Sequence, residues 1–187
     1  MPESPQTAPS PAKKKKEGLV IIHTGNGKGK TTAALGLAFR AVGQKMRVLI
    51  VQFIKGKWHY GEMEAAKAFP DRLEIYPMGE GFTWDTLNRE RDIQKAREAF
   101  DFGVRKVTEG DYDMLIFDEI NYVTSYGYLP VDDLLHFLKN KPKKLHVILT
   151  GRDADPKVIE FADTVSEMRE IKHAYKQGIK ALKGIEF

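Results

Sequence analysis

The run Thr24-Gly25-Asn26-Gly27-Lys28-Gly29-Lys30-Thr31-Thr32 interleaves glycines with lysines and closes on two threonine hydroxyls, a set of residue types whose common chemistry is the holding of anions. Without Cβ atoms at Gly25, Gly27 and Gly29, the backbone can turn its N–H groups inward around a phosphate, and a helix starting after the loop adds the positive end of its dipole. Lys30 supplies a mobile charge for phosphate oxygens, and Thr31 supplies a hydroxyl suited to a Mg²⁺ (or Mn²⁺) ion. The usual form of such a loop has a glycine five residues before Gly29. Here that position is Thr24, which predicts a grip on phosphate different from that of an ordinary ATPase.

A second chemical stretch is Tyr112 to Glu119, YDMLIFDE, an apolar strand ending in two acids. Asp118 and Glu119 would then sit at the strand's carboxyl edge beside the glycine loop, where carboxylates bind Mg²⁺ directly or through water. Thr150-Gly151-Arg152 follows another apolar run, Leu145 to Leu149. Arg152 would face the same edge and could neutralise a polyphosphate. Lys55, Lys57, Trp58 and His59 fall in a loop at that edge as well; an exposed basic loop is the plainer reading of them.

These residues need a scaffold, and the chain supplies one. Leu19 to Ile22 is a β-branched strand running into the loop, Lys30 to Val42 a helix ended by Gly43, and Met46 to Gln52 a near-continuous apolar strand. Gly61 to Phe69 is a short helix stopped by Pro70, followed by a strand at Leu73 to Tyr76. From about Thr86 to Thr108, Ile93, Ala96, Phe100, Val104 and Val107 recur at three- and four-residue spacing, the mark of a long amphipathic helix. Its Arg89, Arg91, Arg97 and Arg105 read as a solvated face. Asn121 to Leu129 reads as an aromatic loop, Pro130 opens a helix through Leu138, Pro156 to Ala162 is another, and Thr164 to Met168 is a last strand. The alternation predicts an α/β fold of the P-loop, RecA-like kind, an open and mostly parallel sheet with helices on both faces.

With 187 residues the chain has the length of one domain. Residues 1–17, rich in Pro and Ser and then carrying Lys13 to Lys16, read as a disordered tail; 18–187 form the domain. There are no cysteines, which excludes disulfides and thiolate chemistry. The net charge of +4 is modest and lies largely in the tail, so nucleic acid is not expected as a partner. The sequence has neither a membrane-spanning run nor a secretory signal, leaving the cytoplasm as the expected compartment.

One segment resists a purely structural account. Met78-Gly79-Glu80-Gly81-Phe82-Thr83-Trp84 carries two large aromatics where turn chemistry favours small polar residues. Phe82 and Trp84 suit core packing and a ligand-facing role equally well.

Taken together, TGNGKGKTTAA at Thr24 to Ala34, GFTW at Gly81 to Trp84, Asn88-Arg89-Glu90, FDE at Phe117 to Glu119, LTGR at Leu149 to Arg152 and the ending from Glu167 to Phe187 make the chain resemble the ATP:corrinoid adenosyltransferases of cobalamin synthesis and salvage. The resemblance implies transfer of the 5′-deoxyadenosyl group of ATP to Co(I) of a corrinoid, with the loop cradling the whole triphosphate as leaving group. It further implies that Asn26, Gly27, Lys28, Gly29, Lys30 and Thr31 contact phosphates, that Thr31 and Glu119 ligate Mg²⁺ with Asp118 beside them, and that Phe82 and Trp84 pack under the corrin ring. A reduced flavoprotein donor and a homodimer are the partners it implies. The proline- and lysine-rich amino terminus departs from the helix-prone segment expected to close such a site. An ordinary P-loop ATPase or phosphotransferase is the alternative.

Overall fold

A computed structural model describes residues 17–56, 60–79 and 88–186. Among these residues six strands and six helices follow one another as β1 (Val20–Thr24), α1 (Lys30–Gly43), β2 (Val48–Gln52), α2 (Gly61–Ala66), β3 (Leu73–Pro77), α3 (Arg89–Glu109), β4 (Met114–Asp118), α4 (Ile120–Ser125), α5 (Val131–Asn140), β5 (His146–Thr150), α6 (Pro156–Phe161) and β6 (Thr164–Glu167), with a short 3-10 turn at Ala174–Gln177. The strands form one sheet in the order β3-β2-β4-β5-β1-β6, and every pairing is parallel. The α/β expectation with a parallel sheet therefore holds.

Because parallel strands need crossovers that cover both faces, the central strands are apolar without interruption. Val48, Ile50, Ile116 and Ile148 pack on one face against Ala34, Ala38 and Ala41 of α1. Leu49, Val51, Leu115, Phe117 and Leu149 point to the other face, toward Ala96, Phe100, Leu134, Leu138 and Val158 of α3, α5 and α6. Helices thus cover both faces. In α1 the alanines recur every three or four residues, which lets that helix lie close to the sheet and brings the loop before it down onto the strand ends.

Phe117 is the centre of the larger core. Its ring meets Phe53 at 5.4 Å, Phe100 at 5.6 Å and Phe137 at 5.9 Å between centroids, and Gly103 of α3 leaves room for it: a Cβ there would lie 2.4 Å from the ring. Gly103→Ala should therefore destabilise the fold by about 1–3 kcal/mol through overpacking, despite the better helix propensity of alanine. The urea midpoint of the variant measures it.

One sequence expectation changes. The aromatic loop expected from Asn121 contains a helix, α4, because Ile120 and Val123 are buried against the core and Tyr122 stacks on Tyr126 one turn later at 4.2 Å; tertiary burial overrides the weak helix propensity of these residues. The arginines of α3 keep to its accessible face, Arg89, Arg91 and Arg105 exposed and Arg97 partly so; there Arg97 pairs with Asp133 of α5, and Arg89 donates to the Tyr126 carbonyl at 3.2 Å. The expectations for the tail before Glu17 and for Lys57, Trp58, His59, Phe82 and Trp84 lie outside the described residues.

Candidate active site

Strand register assembles the site. Gln52 at the end of β2 is level with Asp118 at the end of β4, and β5, ending at Thr150, runs between β4 and β1. The glycine loop, the acid pair and Thr150 consequently meet at the carboxyl edge of the sheet, the side on which open α/β folds bind ligands. A cavity of about 440 Å³ opens there, lined by Lys28, Gly29, Lys30, Thr31 and Thr32 of the loop and the start of α1, and by Lys55, Glu62 and Glu119.

The loop is held by the chain that follows β6. Met168 N–H donates to the Thr24 carbonyl at 2.8 Å, and Gly27 N–H donates to the Met168 carbonyl at 2.6 Å. A Cβ on Gly27 would lie 2.7 Å from the Arg169 carbonyl carbon, so only glycine allows this approach. Gly29 has φ +112°, a left-handed conformation that lets the loop turn into α1. Thr24, where a glycine is usual, ends β1 in register with Glu167, and its hydroxyl accepts from Ala154 N–H at 3.3 Å. The strand geometry at this position makes no demand that threonine fails to meet.

Lys30 is buried, and its ammonium donates to the carbonyls of Gly25 and Gly27, both at 2.8 Å. Burial lowers its pKa, an effect opposed by Glu119 and Asp118 and reinforced by Arg152. Asp118, itself fully buried, accepts from the hydroxyls of Thr31 and Thr150 on one oxygen, each at 2.7 Å, and from Gln52 Nε2 at 3.3 Å on the other. The Thr150 hydroxyl in turn accepts from Glu119 N–H at 2.9 Å. This bond helps fix Glu119 in a left-handed backbone conformation, φ +67°, a strained geometry of the kind that collects at functional sites.

Burial, and then the adjacent Asp118 carboxylate, push the Glu119 carboxyl up to about 7, while Lys30, Arg152 and Lys55 oppose the rise. A carboxyl with a raised folded-state pKa binds its proton more tightly folded than unfolded, so its contribution to stability is lost as pH climbs from the ordinary carboxylate range through about 7. The nucleotide-free protein should lose stability over that window relative to Glu119→Gln, in which this step is absent. Denaturant unfolding at several pH values checks it, and parallel profiles for the two proteins would contradict it.

Of the sequence-predicted residues, Lys28, Gly29, Lys30, Thr31, Thr32 and Glu119 line the cavity, Gly25, Gly27 and Asp118 support it from beneath, and Asn26 is exposed on the loop. Arg152 is exposed and absent from the lining, although its charge acts on Lys30 and Glu119. Gln52 and Glu62 enter the site without a signal of their own in the sequence, and Thr150, singled out there only as part of the LTGR motif, enters it through Asp118. The carboxyl-terminal stretch enters it too: Gly184, Ile185 and Glu186 form part of the wall, and Glu186 pairs with Lys28.

Chain fold and loop define a P-loop α/β protein. A solved structure of similar fold is the KaiC-like protein PH0186 of Pyrococcus horikoshii OT3, with a TM-score of 0.50 and 17% identity over 84% of this chain and 75% of that one. Residues 16–187 match the model of the ATP:corrinoid adenosyltransferase BtuR/CobO/CobP family, and the chain belongs to that family. It is 45% identical to the corrinoid adenosyltransferases of Pseudomonas aeruginosa and Escherichia coli K12, covering 91% of this chain and 84% and 86% of theirs. Corrinoid adenosyltransferase CobA of Salmonella typhimurium is 44% identical, over 91% of this chain and 86% of its own. This chain is accordingly an enzyme, a transferase of that family. No helix among the described residues is long and apolar enough to cross a membrane.

Proposed function

We propose that the protein transfers the 5′-deoxyadenosyl group of ATP to Co(I) of a reduced corrinoid and releases tripolyphosphate. The cobalt electron pair forms the Co–C bond to the ribose 5′-carbon, the C–O bond breaks, and its electrons leave with the tripolyphosphate oxygen. The observation that carries this reading is one cavity lined by both the glycine loop and Glu119 in a chain of this family. A metal-centred nucleophile requires no protein base, so the protein contributes alignment and electrostatic stabilisation of the departing anion.

Loop N–H groups, Lys28 and Lys30 would hold the phosphates, with Asn26 and Thr32 at the rim and Arg152 acting at longer range. The donor set at the acid pair suits a hard cation such as Mg²⁺ or Mn²⁺, which takes one or two protein oxygens and completes its shell with phosphate and water. Among the described residues no cluster of three or more His, Cys, Asp or Glu forms a complete metal cage. Thr31 and Glu119 would supply the oxygens, while Asp118, its oxygens already engaged by Thr31, Thr150 and Gln52, orients the Thr31 hydroxyl. The ion would neutralise charge on the leaving polyphosphate. Lys30, neutralised in part by loop carbonyls, exchanges them for phosphate oxygens as nucleotide enters.

Phe82 and Trp84 are proposed to pack under the corrin and exclude its lower axial ligand, which eases reduction of Co(II) by a reduced flavoprotein. Replacing both by alanine should impair adenosylation that starts from Co(II) far more than transfer to Co(I) supplied chemically. A homodimer in the cytoplasm is the proposed working form.

Incubation with ATP, Mg²⁺ and chemically reduced cobalamin should yield a light-sensitive Co–C product and tripolyphosphate in equal amounts. Release of ADP and orthophosphate without that product would instead assign an ordinary ATPase.

A further inference from the structure

The cavity has a cationic group that the glycine loop does not provide. Lys55, in the loop between β2 and α2, lines it together with Lys28 and Lys30. Its ammonium pairs with Glu62, the second residue of α2, lies 4.6 Å from the centroid of the Tyr60 ring, and stands 3.9 Å from Asp118 Oδ2. Glu62 is itself tethered, since Gln52 Nε2 donates to it at 3.2 Å and to Asp118 at 3.3 Å. Burial alone would raise the Glu62 pKa, but the Lys55 hydrogen bond and charge outweigh it and hold the carboxylate ionised below its ordinary range.

We propose that Lys55 is a polyphosphate ligand and that Glu62 keeps its ammonium at the cavity wall until nucleotide arrives. The proposal rests on the reading of this cavity as the polyphosphate seat. Each of the lysines lining it is engaged by an acceptor of the protein itself: Lys30 by the Gly25 and Gly27 carbonyls, Lys28 by Glu186 and Lys55 by Glu62. A departing tripolyphosphate is a polyanion that gains a further negative charge as the C–O bond breaks, and Lys55 adds to the loop lysines a cation from another segment of the chain. Its partner is the cavity-lining Glu62, whereas Asp118 already accepts from Thr31, Thr150 and Gln52. A flexible lysine stem allows the ammonium to exchange one oxygen for another with little movement of the backbone.

The test is titration of the full chain with inorganic tripolyphosphate, without divalent ions and at fixed ionic strength, followed by calorimetry. Lys55→Ala should weaken binding about tenfold and Lys55→Arg should stay within about threefold of the unaltered protein. Glu62→Gln, which releases the competing carboxylate, should tighten binding about threefold when Lys55 is present and leave it unchanged in the Lys55→Ala background. An equal gain in both backgrounds, or binding by Lys55→Ala equal to that of the unaltered protein, would show that Lys55 only balances the nearby acids and would overturn the proposal. Absence of tripolyphosphate binding by the unaltered protein would sink the polyphosphate seat itself, so the two failures are told apart.

Discussion

Asp118→Ala should lower the unfolding free energy by about 3 kcal/mol and abolish cation-dependent nucleotide binding together. The carboxylate is fully buried, and three donors from three elements end on it: Thr31 from α1, Gln52 from β2 and Thr150 from β5. Its removal leaves the Thr31 and Thr150 hydroxyls without this acceptor, each costing about 1–3 kcal/mol before relaxation, while Gln52 keeps its bond to Glu62 and Thr31 can turn to the cavity. Relief of repulsion on Glu119 offsets part of the loss. Asp118→Asn keeps the shape and one carbonyl acceptor for the threonines but sets an NH₂ against the Gln52 NH₂, so it should cost less than alanine. Urea unfolding in the absence of ligand gives the first quantity, and nucleotide titration with and without Mg²⁺ gives the second. Full stability in Asp118→Ala would mean that the network holds nothing together.

Lys30→Ala should reduce kcat/KM for adenosyl transfer by about 10²–10³-fold with little change in stability. In the nucleotide-free protein the Lys30 ammonium donates to the Gly25 and Gly27 carbonyls, and its burial depresses its pKa, so the charge is poorly solvated and readily drawn to an incoming anion. The interaction strengthens as negative charge moves onto the leaving group, which is why the loss should appear in the chemical step and not in substrate binding alone. Lys30→Arg should not restore the rate, because a larger, planar guanidinium does not reproduce the single ammonium that the Gly25 and Gly27 carbonyls both hold at 2.8 Å. The appearance of the Co–C product, followed spectroscopically with Co(I) in excess, measures both variants.

Much of this site was legible in consecutive residues. The glycine loop, Lys30, Thr31 and the Asp118-Glu119 pair announce themselves because strand, loop and helix are local, and so are the spacings within them. Alternation of apolar strands with helices likewise indicates a parallel sheet before any contact is known. Asn121 to Leu129 misled, since its aromatic and β-branched residues carry little helical propensity and α4 forms only because the core takes Ile120 and Val123. The pairing that Arg97 makes on the accessible face of α3 was not legible for a related reason: its partner Asp133 lies on another helix, and nothing near Arg97 in the sequence announces it.

What the sequence determined by itself is the chemistry on offer: an anion loop, a cation-binding acid pair and the order of elements that carry them, all encoded over spans shorter than one βα unit. Tertiary structure alone decided which residues share the site. The strand order brings Gln52, Asp118 and Thr150 to one edge from positions far apart in the chain, lays Met168 against Gly27, and sets Lys55, Glu62 and Glu186 around the cavity. Sheet order follows from how whole helices and strands pack, a property of the complete core that no local spacing contains.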